Sequence, residues 1–153
     1  MTYLNLDENK TKETVKELNN LLADYHLYYQ KLRNFHWNVS GKNFFDLHEK
    51  FEELYDDAKL KIDEIAERIL TLRQKPKSNL SDYLELSSVK ESSDDLDDYK
   101  MVEMLIHDHG VIIKQMRKVV NVADDANDEI WPPSSKSFFE PRSTIIIAFQ
   151  RMA

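Results

Sequence analysis

The sequence predicts an all-α domain built as a bundle of long amphipathic helices. Three observations carry that prediction. Apolar residues recur three and four positions apart through long stretches, glycine and proline number only 2 and 4 in 153 residues, and 32 % of the chain is charged. A sheet-rich domain of this length would need more turn residues. The length suits a single domain, residues 1–153, with a core that needs no staples, and the absence of cysteine excludes a disulfide scaffold.

The first helix is predicted from about Lys10 to Val39. Val15, Leu18, Leu21, Leu22, Tyr25, Tyr28, Tyr29, Leu32 and Phe35 form its apolar stripe. Asn38, Ser40, Gly41 and Asn43 then cluster as a turn. The second stripe runs through Phe44, Leu47, Phe51, Leu54, Tyr55, Ala58, Ile62, Ile65, Ala66, Ile69 and Leu72, and Pro76 stops the helix soon afterwards. Leu80, Tyr83, Leu84 and Leu86 supply a short helix inside a long crossover. The third long helix is predicted to begin near Ser93 or Asp94, where aspartates suit the positive end of the helix dipole. It continues through Leu96, Tyr99, Val102, Leu105, His109, Ile112, Met116 and Val119 to about Val122. A fourth helix must come from the C-terminal segment, where it is poorly specified. Pro132, Pro133 and Pro141 interrupt any helix there, and Ile145, Ile146 and Ile147 are β-branched.

Charge and hydropathy exclude two function classes. A net charge of −7 argues against a surface that coats nucleic acid, because phosphate binding rests on clustered Lys and Arg. No apolar run approaches the roughly 18 residues of a membrane span. The N-terminus, MTYLNLDENK, lacks a secretory profile, so the expected compartment is the cytoplasm.

His36, His48, Glu52, Asp63 and Glu67 are the candidate metal ligands. His48 and Glu52 are four residues apart, as are Asp63 and Glu67, and side chains at that spacing share a helix face. At 3.6 residues per turn the four fall within an arc of about 100° on the second helix. Axial distance separates the pairs: from Glu52 to Asp63 is roughly 16 Å at 1.5 Å per residue, against metal–ligand bonds of about 2 Å. One metal cannot bind both pairs in one chain. Two copies of the helix packed antiparallel about a two-fold axis would bring His48 and Glu52 of one against Asp63 and Glu67 of the other. His36, just before the turn, can fold back toward His48. Two imidazoles with three carboxylates suit a divalent, iron-like metal better than calcium or structural zinc.

The spacing also allows blander accounts. Acidic residues four apart are often a solvated face, and His36 and His48 could be packed histidines near a helix end.

The local sequence favours the metal site. Asn34-Phe35-His36-Trp37-Asn38-Val39-Ser40-Gly41, then Asn43-Phe44, His48-Glu49 and Asp63-Glu64-Ile65-Ala66-Glu67-Arg68, closely resembles the Dps (DNA-binding protein from starved cells) miniferritins, over about Leu18 to Asp128. The resemblance implies a ferritin-like four-helix subunit with a short helix in the crossover between helices 2 and 3. It further implies a homo-oligomer of the dodecameric kind, hollow, with ferroxidase centres at its two-fold interfaces. There Fe(II) is oxidised to Fe(III), preferably by hydrogen peroxide, and stored as ferric oxyhydroxide. Carried over by motif, His36, His48 and Glu52 come from one subunit, and Asp63 and Glu67 from its neighbour. Trp37 resembles a family tryptophan that traps radical equivalents; an aromatic plug at the interface is its alternative role. Asp124, Asp125 and Asp128 fall where the family often lines an iron-entry pore, with an acidic helix cap as the alternative. His109 continues an apolar stripe and His107 lies away from it, so a packed and a surface histidine are expected rather than a second site.

The chain departs from the family pattern at three places. Glu52 stands where aspartate is usual, keeping the charge at a longer reach. The termini lack the basic tail on which DNA binding in the family depends, so weak or absent DNA binding is expected. Ile130 to Lys136 (IWPPSSK) does not read as a family helix, and a local reading-frame disturbance is one account of it. Two function classes follow: a peroxide-consuming ferroxidase and iron store, or a non-catalytic cage or nucleoid-associated scaffold with a weakened metal site. An intrachain di-iron ferritin is disfavoured because the chain has no Glu-x-x-His pair.

Overall fold

The computed structural model describes residues 6–128. Among them the fold is four helices and no strand: α1 (Glu8–Asn38), α2 (Phe44–Thr71), α3 (Leu80–Leu86) and α4 (Asp98–Asp125). The expected fourth long helix, and the proline-rich stretch before it, lie outside the described residues.

The helix starts follow from capping. The Asp7 carboxylate accepts from the amides of Asn9 and Lys10 at 2.9 and 3.0 Å and so opens α1. The backbone hydrogen bond from Lys10 is the main reason that its carboxyl is held below the usual carboxylate range. Asp97 caps α4 in the same way, accepting from Lys100 at 2.8 Å. That helix therefore starts four residues later than Asp94. The competing contact is local: the Ser93 hydroxyl accepts from the Asp95 amide at 3.1 Å, which favours a turn over a first helical turn.

Two helix ends share one device. Past α2, Gln74 N–H donates to the Ile69 carbonyl and Arg73 N–H to that of Leu70, with Arg73 at φ 58°. Past α4, Asp128 N–H donates to Ala123 and Asn127 N–H to Asp124, with Asn127 at φ 55°. Both are Schellman endings, in which a left-handed residue turns the chain back on the last carbonyls. The α2 helix thus ends before Pro76 is reached, and α4 runs past Val122 to Asp125.

α1 packs against α2, α3 and α4. The core joins Leu18, Leu21, Leu22, Leu32 and Phe35 of α1 to Phe51, Ile65 and Ile69 of α2 and Met101 and Leu105 of α4. Buried charges are paired across it: Lys31 on α1 meets Asp108 on α4 at 2.5 Å, and Arg68 on α2 meets Asp128 beyond α4. The crossover is tied down by α1. Asp24 Oδ1 accepts from the Ser87 hydroxyl and from the amides of Ser88 and Val89, while Asn19 Oδ1 accepts from the Lys77 amide. Burial pushes the Asp24 carboxyl above its ordinary range. No helix among the described residues is long and apolar enough to cross a membrane.

Candidate metal centre

The short turn between α1 and α2 makes the two helices antiparallel and brings His36, near the end of α1, against His48, in the second turn of α2. The turn is built on Gly41 at φ 96° and is held by Asn43, whose side-chain amide donates to Asp98 Oδ2 at 2.7 Å. The two imidazoles stack with centroids 3.7 Å apart and planes 22° from parallel. Phe44 stacks beyond His48 at 5.0 Å, and Tyr55 stands edge-on to His36 at 5.3 Å and 90°.

The two rings hold one another through the main chain. His36 Nδ1–H donates to the carbonyl of His48 at 2.7 Å, and His48 Nδ1–H donates to the carbonyl of His36 at 2.8 Å. A carbonyl can only accept, so both Nδ1 atoms must carry protons. In each neutral ring Nε2 is then the atom with a free lone pair, the arrangement that orients a histidine for a metal.

The carboxylates are placed differently. Glu52, Asp63 and Glu67 are all exposed on α2. Among the described residues, no three His, Asp or Glu side chains of one chain converge to hold a metal ion. The same arc of α2 carries three exposed apolar side chains: Phe45 (83 %), Leu60 (65 %) and Leu70 (57 %). With 100° per residue they lie within about 80° of the three carboxylates. An apolar stripe of this kind, interleaved with ligand-type side chains, marks a face suited to burial by another surface.

Trp37 follows His36 in sequence but is 57 % exposed, and the Arg33 guanidinium covers its ring at 4.8 Å. Asp124 and Asp125 are exposed in the last turn of α4. They do not cap it: the ending belongs to Asn127, and acidic groups sit poorly at the negative end of a helix dipole. Asp128 is 3 % exposed, its carboxylate committed to Arg68. Of the three aspartates, Asp124 and Asp125 are the two left exposed. His109 is half-buried and its Nε2 is hydrogen-bonded to the Tyr28 phenol at 2.5 Å, a phenol that burial keeps protonated. His107 is on the surface, as its position off the stripe predicts.

Sequence reasoning placed Tyr55 and Tyr29 in the apolar stripes and missed their place beside the site. Tyr55 is edge-on to Tyr29 as well as to His36, at 6.1 Å and 89°. Its position three residues after Glu52 was the available signal.

Comparison with known proteins bears on this arrangement. A family model described as Ferritin-like domain matches residues 15–131. The DNA protection during starvation protein 2 of Bacillus anthracis is 41 % identical over 119 residues, which is 78 % of this chain and 82 % of that one. Among solved structures, the Dps protein of Vibrio cholerae O1, described as a member of a superfamily of ferritin-like diiron-carboxylate proteins, superposes with a TM-score of 0.85 at 35 % identity, covering 99 % of this chain and 94 % of the other. A Dps protein from Bacillus brevis gives a TM-score of 0.88 at 33 % identity, with 95 % and 98 % covered.

Proposed function

This chain is a Dps miniferritin of the ferritin-like family, and from that premise we propose that it is a ferroxidase that oxidises Fe(II), preferably with hydrogen peroxide, at centres shared between two subunits. The ferric product is stored as oxyhydroxide inside a hollow dodecamer in the cytoplasm. Iron and peroxide are its substrates, and DNA is not a strong partner.

The observation that carries this reading is the reciprocal pairing of His36 and His48. It leaves the Nε2 lone pair of each ring unused by the main chain, on rings stacked 3.7 Å apart, with His48 one turn of α2 from Glu52. Asp63 and Glu67 lie too far along the same helix to join them within the chain, so the partner subunit's Asp63 and Glu67 complete the set. The apolar stripe of Phe45, Leu60 and Leu70 supplies the contact that seats the partner. Two Fe(II) and one hydrogen peroxide, with two protons, give two Fe(III) and two waters. The carboxylates offset the added charge on each iron, and Asp124 and Asp125 attract Fe(II) toward the cage.

The reading is tested by anaerobic Fe(II) titration followed by peroxide, recording ferric absorbance for the wild type and His36→Ala. A ferric signal in the wild type that is lost in the variant supports it. No signal in either, or equal signals in both, would leave a non-catalytic cage.

A further inference from the structure

We propose that Asp98, the first residue of α4, is a positioning residue of the iron centre: through Asn43 it fixes the start of α2 and so holds His48 in reach of His36. The inference rests on the reading of these two histidines as iron ligands.

Its basis is a helix start that gives up its own cap. Of the three long helices among the described residues, α1 and α4 are opened by side-chain caps from Asp7 and Asp97, whereas Asn43, in the cap position of α2, makes no side-chain bond to its own helix. Asparagine is among the best cap residues, because its side-chain oxygen accepts from the first free amides. Here the side chain is turned to α4 instead, and its Nδ2–H donates to Asp98 Oδ2 at 2.7 Å. The carboxylate is steadied in turn by its own helix, Oδ1 accepting from the Tyr99 amide at 3.0 Å. Lys42 leans the same way, its ammonium 6.0 Å over the Tyr99 ring. Two successive turn residues thus reach two successive residues of α4.

The tie acts on the site because it holds the residue from which α2 grows. The Asn43 carbonyl accepts from the Leu47 amide at 3.1 Å, one residue before His48, and Phe44, next to Asn43, is the ring stacked on His48 at 5.0 Å. The turn does not set this register by itself, since it hinges on Gly41 at φ 96°, a residue with wide backbone freedom. The reciprocal bonds between His36 and His48 stand at 2.7 and 2.8 Å. A further separation of about 1 Å carries both out of hydrogen-bond range. The rings then lose the bonds that keep Nδ1 protonated and leave Nε2 for the metal.

The test uses the assembled protein and Co(II), whose visible spectrum reports its ligands without peroxide chemistry; Fe(II) oxidation kinetics and thermal unfolding are measured in parallel. Asn43→Asp sets carboxylate against carboxylate, and adding Asp98→Asn restores the bond with donor and acceptor exchanged. Asn43→Asp is expected to weaken Co(II) binding roughly tenfold, at the low end for partners of metal-binding histidines, although its added charge alone would favour a cation. The KM for Fe(II) should rise with little change in kcat, because the saturated site keeps the same ligands. The double variant should bring both back close to wild type. Asn43→Ala cuts the tie without adding charge; it should weaken Co(II) binding in the same direction and gain nothing from Asp98→Asn, which keeps the proposal testable if Asn43→Asp fails to assemble. A merely structural tie would lower the melting temperature and leave Co(II) affinity where it was. Unchanged affinity in the Asn43 variants, or a double variant no better than Asn43→Asp, would overturn the positioning role. Co(II) bound through His36 in a wild type that forms no ferric iron with peroxide would overturn the ferroxidase reading and leave the positioning role standing, whereas Co(II) binding unchanged in His36→Ala would overturn both.

Discussion

Arg68, in the last turns of α2, and Asp128, just beyond α4, form a buried ion pair across 60 residues of sequence, with one guanidinium nitrogen facing both carboxylate oxygens. Asp128 is placed there by the Schellman ending of α4, in which its own amide donates back to Ala123 at 2.9 Å. The pair locks the end of α2 to the end of α4, near where the acidic last turn meets solvent.

Removing one member should cost more than removing both. Arg68→Ala leaves a buried carboxylate uncompensated and is expected to destabilise the subunit by about 3–5 kcal/mol, because a buried charge without its partner has lost water and gained nothing. In a double-mutant cycle read by urea unfolding at fixed protein concentration, Arg68→Ala with Asp128→Ala should cost clearly less than the sum of the single changes. Additive costs would mean that the pair is not coupled.

Asp24 should show its role through pH. Its Oδ1 receives all three donors from the crossover, so Asp24→Ala strands buried donors at about 1–3 kcal/mol. Asp24→Asn keeps an acceptor oxygen and should cost less. In the unfolded chain this carboxyl loses its proton at the ordinary value, whereas the folded chain holds the proton to higher pH. The folded state therefore binds more protons, and the residue's contribution to stability is largest below the ordinary value and declines as pH rises through the raised folded one. Unfolding curves across that acidic window should show this decline in the wild type and not in Asp24→Asn.

Complementation tests the shared centre. His36→Ala and Asp63→Ala should each be inactive as ferroxidases. When the two are dissociated, mixed equally and reassembled, half the dimers are mixed and each of those regains one whole site, so about a quarter of wild-type activity should return. An intrachain site would give no recovery.

DNA binding should be weak even at low ionic strength. The net charge of −7 opposes a polyanion, and Lys10 is already engaged, donating to the Asp125 carbonyl at 2.8 Å. Gel-shift assays at low salt are expected to show little retardation; complete retardation would contradict this.

What the sequence by itself determined is periodic. The 3.6-residue repeat placed α1, α2, the short α3 and α4, put His48, Glu52, Asp63 and Glu67 on one face, and set the axial gap that a single chain cannot close. The motif around His36 identified the family. Helix ends were less legible, because a Schellman turn through Arg73 and a cap at Asp97 depend on backbone geometry that many residues can adopt. Only the tertiary structure decided which atom of each histidine is free, since the Nδ1 protons are directed by carbonyls on the opposite helix. It also withdrew Asp128 from the acidic patch by setting it against Arg68, and drew Tyr55 out of an ordinary apolar stripe to the edge of His36. These relationships join residues far apart in the chain, and no local pattern encodes a contact that exists only after the helices have packed.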